Sequence, residues 1–99
     1  MIRLNAFLKV DEKDRQRVLS LGNQLVDKSR QDEGCISYDF FESTTISGVF
    51  MFCETWKDQE SLDKHANAQH FLHLVPEIEA FGKIRFLSFI HRTTPYIID

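Results

Sequence analysis

The chain has 99 residues, 42% of them hydrophobic and nine of them Phe, which suits one compact domain spanning 1–99 with a single modest core. Twelve Lys and Arg against 15 Asp and Glu give a formal charge of -3, which offers no cationic field to phosphate backbones and argues against a nucleic-acid partner. No run approaches the roughly 20 apolar residues of a membrane span, and Arg3 and Asn5 interrupt the amino-terminal MIRLNAFLKV, unlike a secretory leader; a soluble, cytoplasmic protein with no membrane partner is expected.

Residues 2–10 alternate Ile2, Leu4, Ala6, Leu8 and Val10 with Arg3, Asn5, Phe7 and Lys9, the period of a strand. Asp11 is placed to cap a helix over about 12–31, with Val18, Leu21 and Leu25 as its inward stripe and Gly22 allowing close approach to a sheet. Gly34 follows the last turn, where a positive φ commonly ends a helix. Strands are predicted over about 35–43 and 48–57, joined as a hairpin with Gly48 in the turn. Both alternating sets of the second of these are apolar, so it reads as a central strand.

Asp58 then caps a helix from Gln59, a break falls near 67–69, and a further helical segment covers about 70–82, with Pro76 tolerated as the start of a new turn. A fourth strand over 83–94 closes the domain, and Pro95 stops it. The order β-α-β-β-α-β matches an α+β, ferredoxin-like arrangement with an antiparallel sheet and helices on one face. One helical layer leaves the other sheet face open, and a homodimer pairing sheet against sheet would cover it. Cys35 and Cys53 lack metal or redox spacing and are expected to be reduced and structural.

Leu62, His65 and Ala66 share one helix face, so His65 is expected to point toward the sheet, as a satisfied core or rim residue or as an acid/base group. His65 and His70 lie five residues apart across a break, which does not match a helical i, i+4 metal pair, and no metal site is expected. His70 begins a helix, and His73 and His91 carry no specific signal. Glu54 shares a strand face with Phe50, Phe52 and Trp56; a carboxylate there either finds a partner or acquires a raised pKa suited to proton transfer. Tyr38 and Trp56 suit a pocket wall or a core, and Asn5 suits substrate orientation or a solvated sheet edge.

Three fragments in register, EGCISYDF (33–40), ETW (54–56) and HANAQHF (65–71), resemble the antibiotic biosynthesis monooxygenase family of small dimeric α+β barrel proteins. The resemblance covers nearly the whole chain. That family includes cofactor-independent oxygenases of quinols and polyketide anthrones, an isomerase of a phosphorylated signalling sugar, and haem-degrading relatives. The resemblance implies a pocket between helices and sheet, with His65, Trp56 and Asn5 catalytic and Tyr38, Phe52, Glu54 and His70 contacting substrate. It implies a small-molecule substrate, O2 as oxidant, no cofactor and a homodimer. Phe52 stands where some polyketide oxygenases carry Asn, His65 where the haem-degrading branch carries a second Trp, and Ala68-Gln69 where Thr-Pro is common. An isomerase or other proton-transfer enzyme, and a non-catalytic dimeric binding or stress-response module, are the competing expectations.

Overall fold

The period-two alternation at the amino terminus becomes strand β1, Ile2–Lys9, in the computed structural model, which describes residues 1–90 and the side chains of residues 1–85. A 3-10 turn, Glu12–Asp14, leads into helix α1, Arg15–Ser29. Strands β2 (Cys35–Glu42) and β3 (Val49–Trp56) form a hairpin, helices α2 (Gln59–Ala66) and α3 (Gln69–Glu79) follow, and β4 (Arg85–Ile90) completes the sheet. The strand order is β2-β3-β1-β4 with every neighbour antiparallel, the ferredoxin-like topology expected from the element order. Residues 91–94 of the expected fourth strand, its stop at Pro95, and His91 lie outside the described residues.

Register decides which residues meet the helices. Ile2, Leu4, Ala6 and Leu8 pair with Trp56, Glu54, Phe52 and Phe50, and Tyr38 and Phe40 of β2 join the same face. Against it pack Val18, Leu21 and Leu25 of α1 with Leu74 and Ile78 of α3, all buried. A bulge between Cys35 and Ser37 lets Cys35 and Tyr38 both face this core, although strict alternation would separate them. Gly22 is the point of closest approach: a methyl there would lie 2.2 Å from the Phe40 ring.

Three local expectations change. Asp11 caps nothing with its side chain; its carbonyl accepts from the Asp14 N–H, a 3-10 turn forms, and α1 proper begins at Arg15. Pro76 lies inside α3 rather than opening a new turn. Its missing N–H would have served the carbonyl of Leu72, an exposed residue whose backbone solvent can satisfy. Gly34 and Gly48 adopt φ of 83° and 81°; Gly48 serves the hairpin turn as expected, whereas α1 already ends at Ser29 with Arg30 as its cap, so Gly34 serves the turn into β2 rather than the helix stop.

Candidate active site

Asp58 begins the construction of the site. Its Oδ1 accepts from the Ser61 N–H at 2.9 Å and the Ser61 hydroxyl at 2.7 Å, which starts α2 at Gln59 and turns Ser61 and His65, four residues apart, inward. The His65 ring lies over Trp56, 4.5 Å between centroids, with Tyr38 and Phe71 against its edges at 5.4 and 5.1 Å. The break after Ala66 then reverses the chain into α3, and His70 returns toward the same point, its ring 5.9 Å from that of His65.

That point is Asp32, in the loop that follows α1. The loop is held by Asp32 N–H to the Ser29 carbonyl, Cys35 N–H to the Asp32 carbonyl, and Lys57 N–H to the Gly34 carbonyl. Asp32 Oδ2 meets His65 Nδ1 at 2.8 Å and His70 Nε2 at 2.8 Å. One ligand atom from each residue lies within 4.8 Å of the others, so the trio also has the spacing of a metal-ligand set. The five-residue spacing thus carries a fixed geometry after all, created by the break rather than by helical periodicity.

Behind His65 stands Glu54, whose Oε1 accepts from the Trp56 indole N–H at 2.8 Å and lies 4.0 Å from His65 Nε2. Burial raises the Glu54 pKa from its usual 4.5 to about 7, against the Trp56 and Tyr38 hydrogen bonds that favour its charged form. Burial also lowers His65 below the ordinary imidazole value, opposed by Asp32. The Cys35 thiol is pushed up to about 11, mainly by burial, and the Tyr38 phenol is pushed up further by the same cause. Around neutral pH the interior therefore holds a neutral imidazole beside a carboxyl group close to its titration point.

The expected hollow between helices and sheet is filled. His65 is 1% exposed, Glu54 2%, and Trp56, Tyr38 and Phe52 are equally buried, with Phe52 stacked on Phe40 at 4.3 Å. Phe52 and Tyr38 belong to this packed core. The open space lies on the outer side of the cluster, a cavity of about 520 Å³ between α1 and α3 lined by Gln24, Lys28, Gln31, Asp32, Gln69, His70, His73 and Leu74. His70, expected to be the weaker candidate, is thus the imidazole at the cavity, while His65 supports it from within.

Asn5 is not brought to this site. It pairs with Cys53 and shares the opposite sheet face with Arg3 and Phe7, so β1 separates it from Trp56 and His65. Its side chain is buried there, and its Oδ1 has no hydrogen-bond partner among the described residues. Asp32 is the residue that sequence reasoning missed. The only local signal is an acid two positions before Gly34, whose positive φ turns the chain into β2.

A family model described as "Antibiotic biosynthesis monooxygenase" matches residues 1–77. The protein named "Putative monooxygenase YcnE" of Bacillus subtilis (strain 168) is 38% identical over 71 residues, covering 72% of this chain and 75% of that protein. Among solved structures, a conserved Bacteroides thetaiotaomicron VPI-5482 protein of unknown function, described as a possible oxidoreductase, is 40% identical with TM-score 0.86, covering 89% of this chain and 94% of that one. A structure described as an antibiotic biosynthesis monooxygenase is 33% identical with TM-score 0.83, covering 96% and 100%. With the matched model spanning β1 through most of α3, the chain belongs to the antibiotic biosynthesis monooxygenase family.

Proposed function

We propose that this chain is a cofactor-independent monooxygenase acting on a small quinol-like aromatic substrate, with O2 as oxidant, working as a cytoplasmic homodimer. The observation that carries this reading is the convergence of His65 and His70 on one oxygen of Asp32 at the wall of an open cavity. Family membership supplies the oxygenase class; the cluster supplies the proton chemistry. The substrate ring rests against Leu74 with its hydroxyls toward the polar wall. His70, steadied by Asp32, takes the phenolic proton, and Lys28 in the same wall stabilises the phenolate.

The phenolate is electron-rich enough to pass an electron to O2, and the radical pair recombines at a ring carbon. A hydroquinone and O2 then become a hydroxyquinone and water, one oxygen atom entering the ring and the ring supplying the electrons that reduce both oxygen atoms. The residues bind, orient and deprotonate. The sheet face opposite the helices carries Phe7, Phe41, Val49 and Met51, an apolar patch suited to pairing with a second copy.

Oxygen uptake with a panel of hydroquinones tests this reading. The wild-type chain is expected to consume O2, and Asp32→Asn and His70→Ala each to lower kcat by about 100-fold or more, the scale of general base catalysis. Dialysis against a chelator is expected to leave the rate unchanged. Uptake no faster than in the two variants rules out the oxygenase, and loss of activity on dialysis rules out cofactor independence. A second reading, proton transfer on a small polar metabolite, is favoured by Gln24, Gln31 and Gln69 in the wall, and it predicts equal turnover in oxygen-free buffer.

A further inference from the structure

Assigning each proton in the site leaves one atom over. The Trp56 indole can only donate, so Glu54 Oε1 accepts from it. A carboxylate oxygen can only accept, so His65 Nδ1–H and His70 Nε2–H both donate to Asp32 Oδ2. The lowered His65 pKa makes that ring neutral at pH 7, so its Nε2 carries a bare lone pair. That nitrogen is buried and has no hydrogen-bond partner. Leaving a buried acceptor unmet is costly, and the Glu54 carboxyl lies 4.0 Å away. A shift of about 1 Å in ring or carboxyl brings the pair to hydrogen-bond length.

We infer that Glu54, out of reach of the cavity, is a positioning residue: as a neutral carboxylic acid it donates to His65 Nε2 and holds that ring in its Nδ1–H tautomer. Through Asp32 this keeps the His70 Nε2–H turned inward and leaves the His70 Nδ1 lone pair as the base. Only this last step rests on the function proposed above. The groups facing Glu54 are Tyr38 and Cys35 from β2, Trp56 on its own strand and His65 from α2, with Asp32 beyond. Tyr38 and Cys35 are protonated at neutral pH, no cation is among the causes acting on Glu54, and burial outweighs the Trp56 and Tyr38 hydrogen bonds that favour its charged form.

Substitution at Glu54 separates donor from bulk. Glu54→Gln keeps an oxygen for the Trp56 indole and an N–H for His65, while Glu54→Met keeps the volume and removes both. Side-chain nitrogen NMR of His65, without substrate, reads the tautomer directly. Wild type is expected to show Nδ1–H below the Glu54 titration near 7 and to lose that preference as pH rises through it. Glu54→Gln should hold Nδ1–H throughout, and Glu54→Met should show mixed tautomers at every pH.

In kinetics, wild-type kcat should fall as pH rises through the Glu54 titration near 7, Glu54→Gln should remove that fall, and Glu54→Met should lower kcat about tenfold with KM unchanged. Identical tautomer behaviour in wild type and Glu54→Gln across this range overturns the inference, as does an infrared spectrum at about pH 6 lacking the Glu54 carboxylic acid band. That comparison suffices if Glu54→Met does not fold. If the tautomers behave as expected but no variant consumes O2, the positioning role stands and the oxygenase reading falls.

Discussion

At Glu54, protonation links the chemistry of the site to the stability of the chain. Its folded pKa is raised, so between roughly 4.5 and 7 the folded chain binds a proton that the unfolded chain lacks. Its contribution is therefore fully present below 4.5, is lost as pH rises through the folded value, and stays absent above it. A rise from 4.5 to about 7 corresponds to roughly 3 kcal/mol for so deeply buried a group. His65, with its lowered pKa, acts with the opposite sign, losing stability as pH falls through its folded value. Both the wild-type and Glu54→Gln chains carry that term, so their difference isolates Glu54. Urea unfolding at about pH 5 and pH 8 should show Glu54→Gln gaining up to roughly 3 kcal/mol relative to wild type at the higher pH. An unchanged gap would mean that Glu54 is not neutral inside the fold.

Elements were legible wherever their signals are local. The alternation of β1, the Asp58 cap and the hairpin glycine at 48 are short-range devices, and each appears where it was expected. The inward turn of His65 follows from its spacing to Leu62 and Ala66, and Glu54 was legible as a carboxylate on an aromatic face. Asp32 was not, because it meets His65 from 33 positions away through a loop whose path depends on the packing of α1 and α2. That Asn5 lies on the other sheet face was not legible for a related reason: alternation separates two sets of β1 residues, but only pairing with β3 shows which set faces Trp56. Gly22 gives a test at this scale. A methyl on α1 would meet the Phe40 ring at 2.2 Å, and that ring is stacked between Phe50 at 5.2 Å and Phe52 at 4.3 Å, so it has little room to yield. Overpacking costs about 1–3 kcal/mol, whereas replacing a helical Gly by Ala gains only about 1 kcal/mol. Gly22→Ala is expected to lose up to about 2 kcal/mol in guanidinium unfolding, and a gain would show that α1 can lift from β2 freely.

For the whole molecule, the open face of the sheet is polar at Arg3, Asn5, Ser37 and Asp39 and apolar at Phe7, Phe41, Val49 and Met51, less uniformly apolar than the sequence suggested. Phe41, on the edge strand β2 beside Met51, is 51% exposed. If the proposed homodimer forms there, Phe41→Asp with Met51→Asp should give a monomer in analytical ultracentrifugation while leaving the helix-side core intact; an unchanged mass would place the interface elsewhere. The helix side has a different character. The Asp32 loop abuts α2 so tightly that a methyl on Gly34 would lie 2.0 Å from the Ser61 hydroxyl oxygen, and that hydroxyl is tied to the cap of the helix bearing His65. Acid and imidazole are therefore set by the Gly34 main chain resting on the Ser61 side chain, with no room for a Cβ between them. Gln24, Gln31 and Gln69, by contrast, border the cavity without entering that joint. Selection or a designer could recast those amides to admit a different guest while the proton-handling end keeps its setting, so the choice of substrate is free to drift apart from the chemistry performed on it.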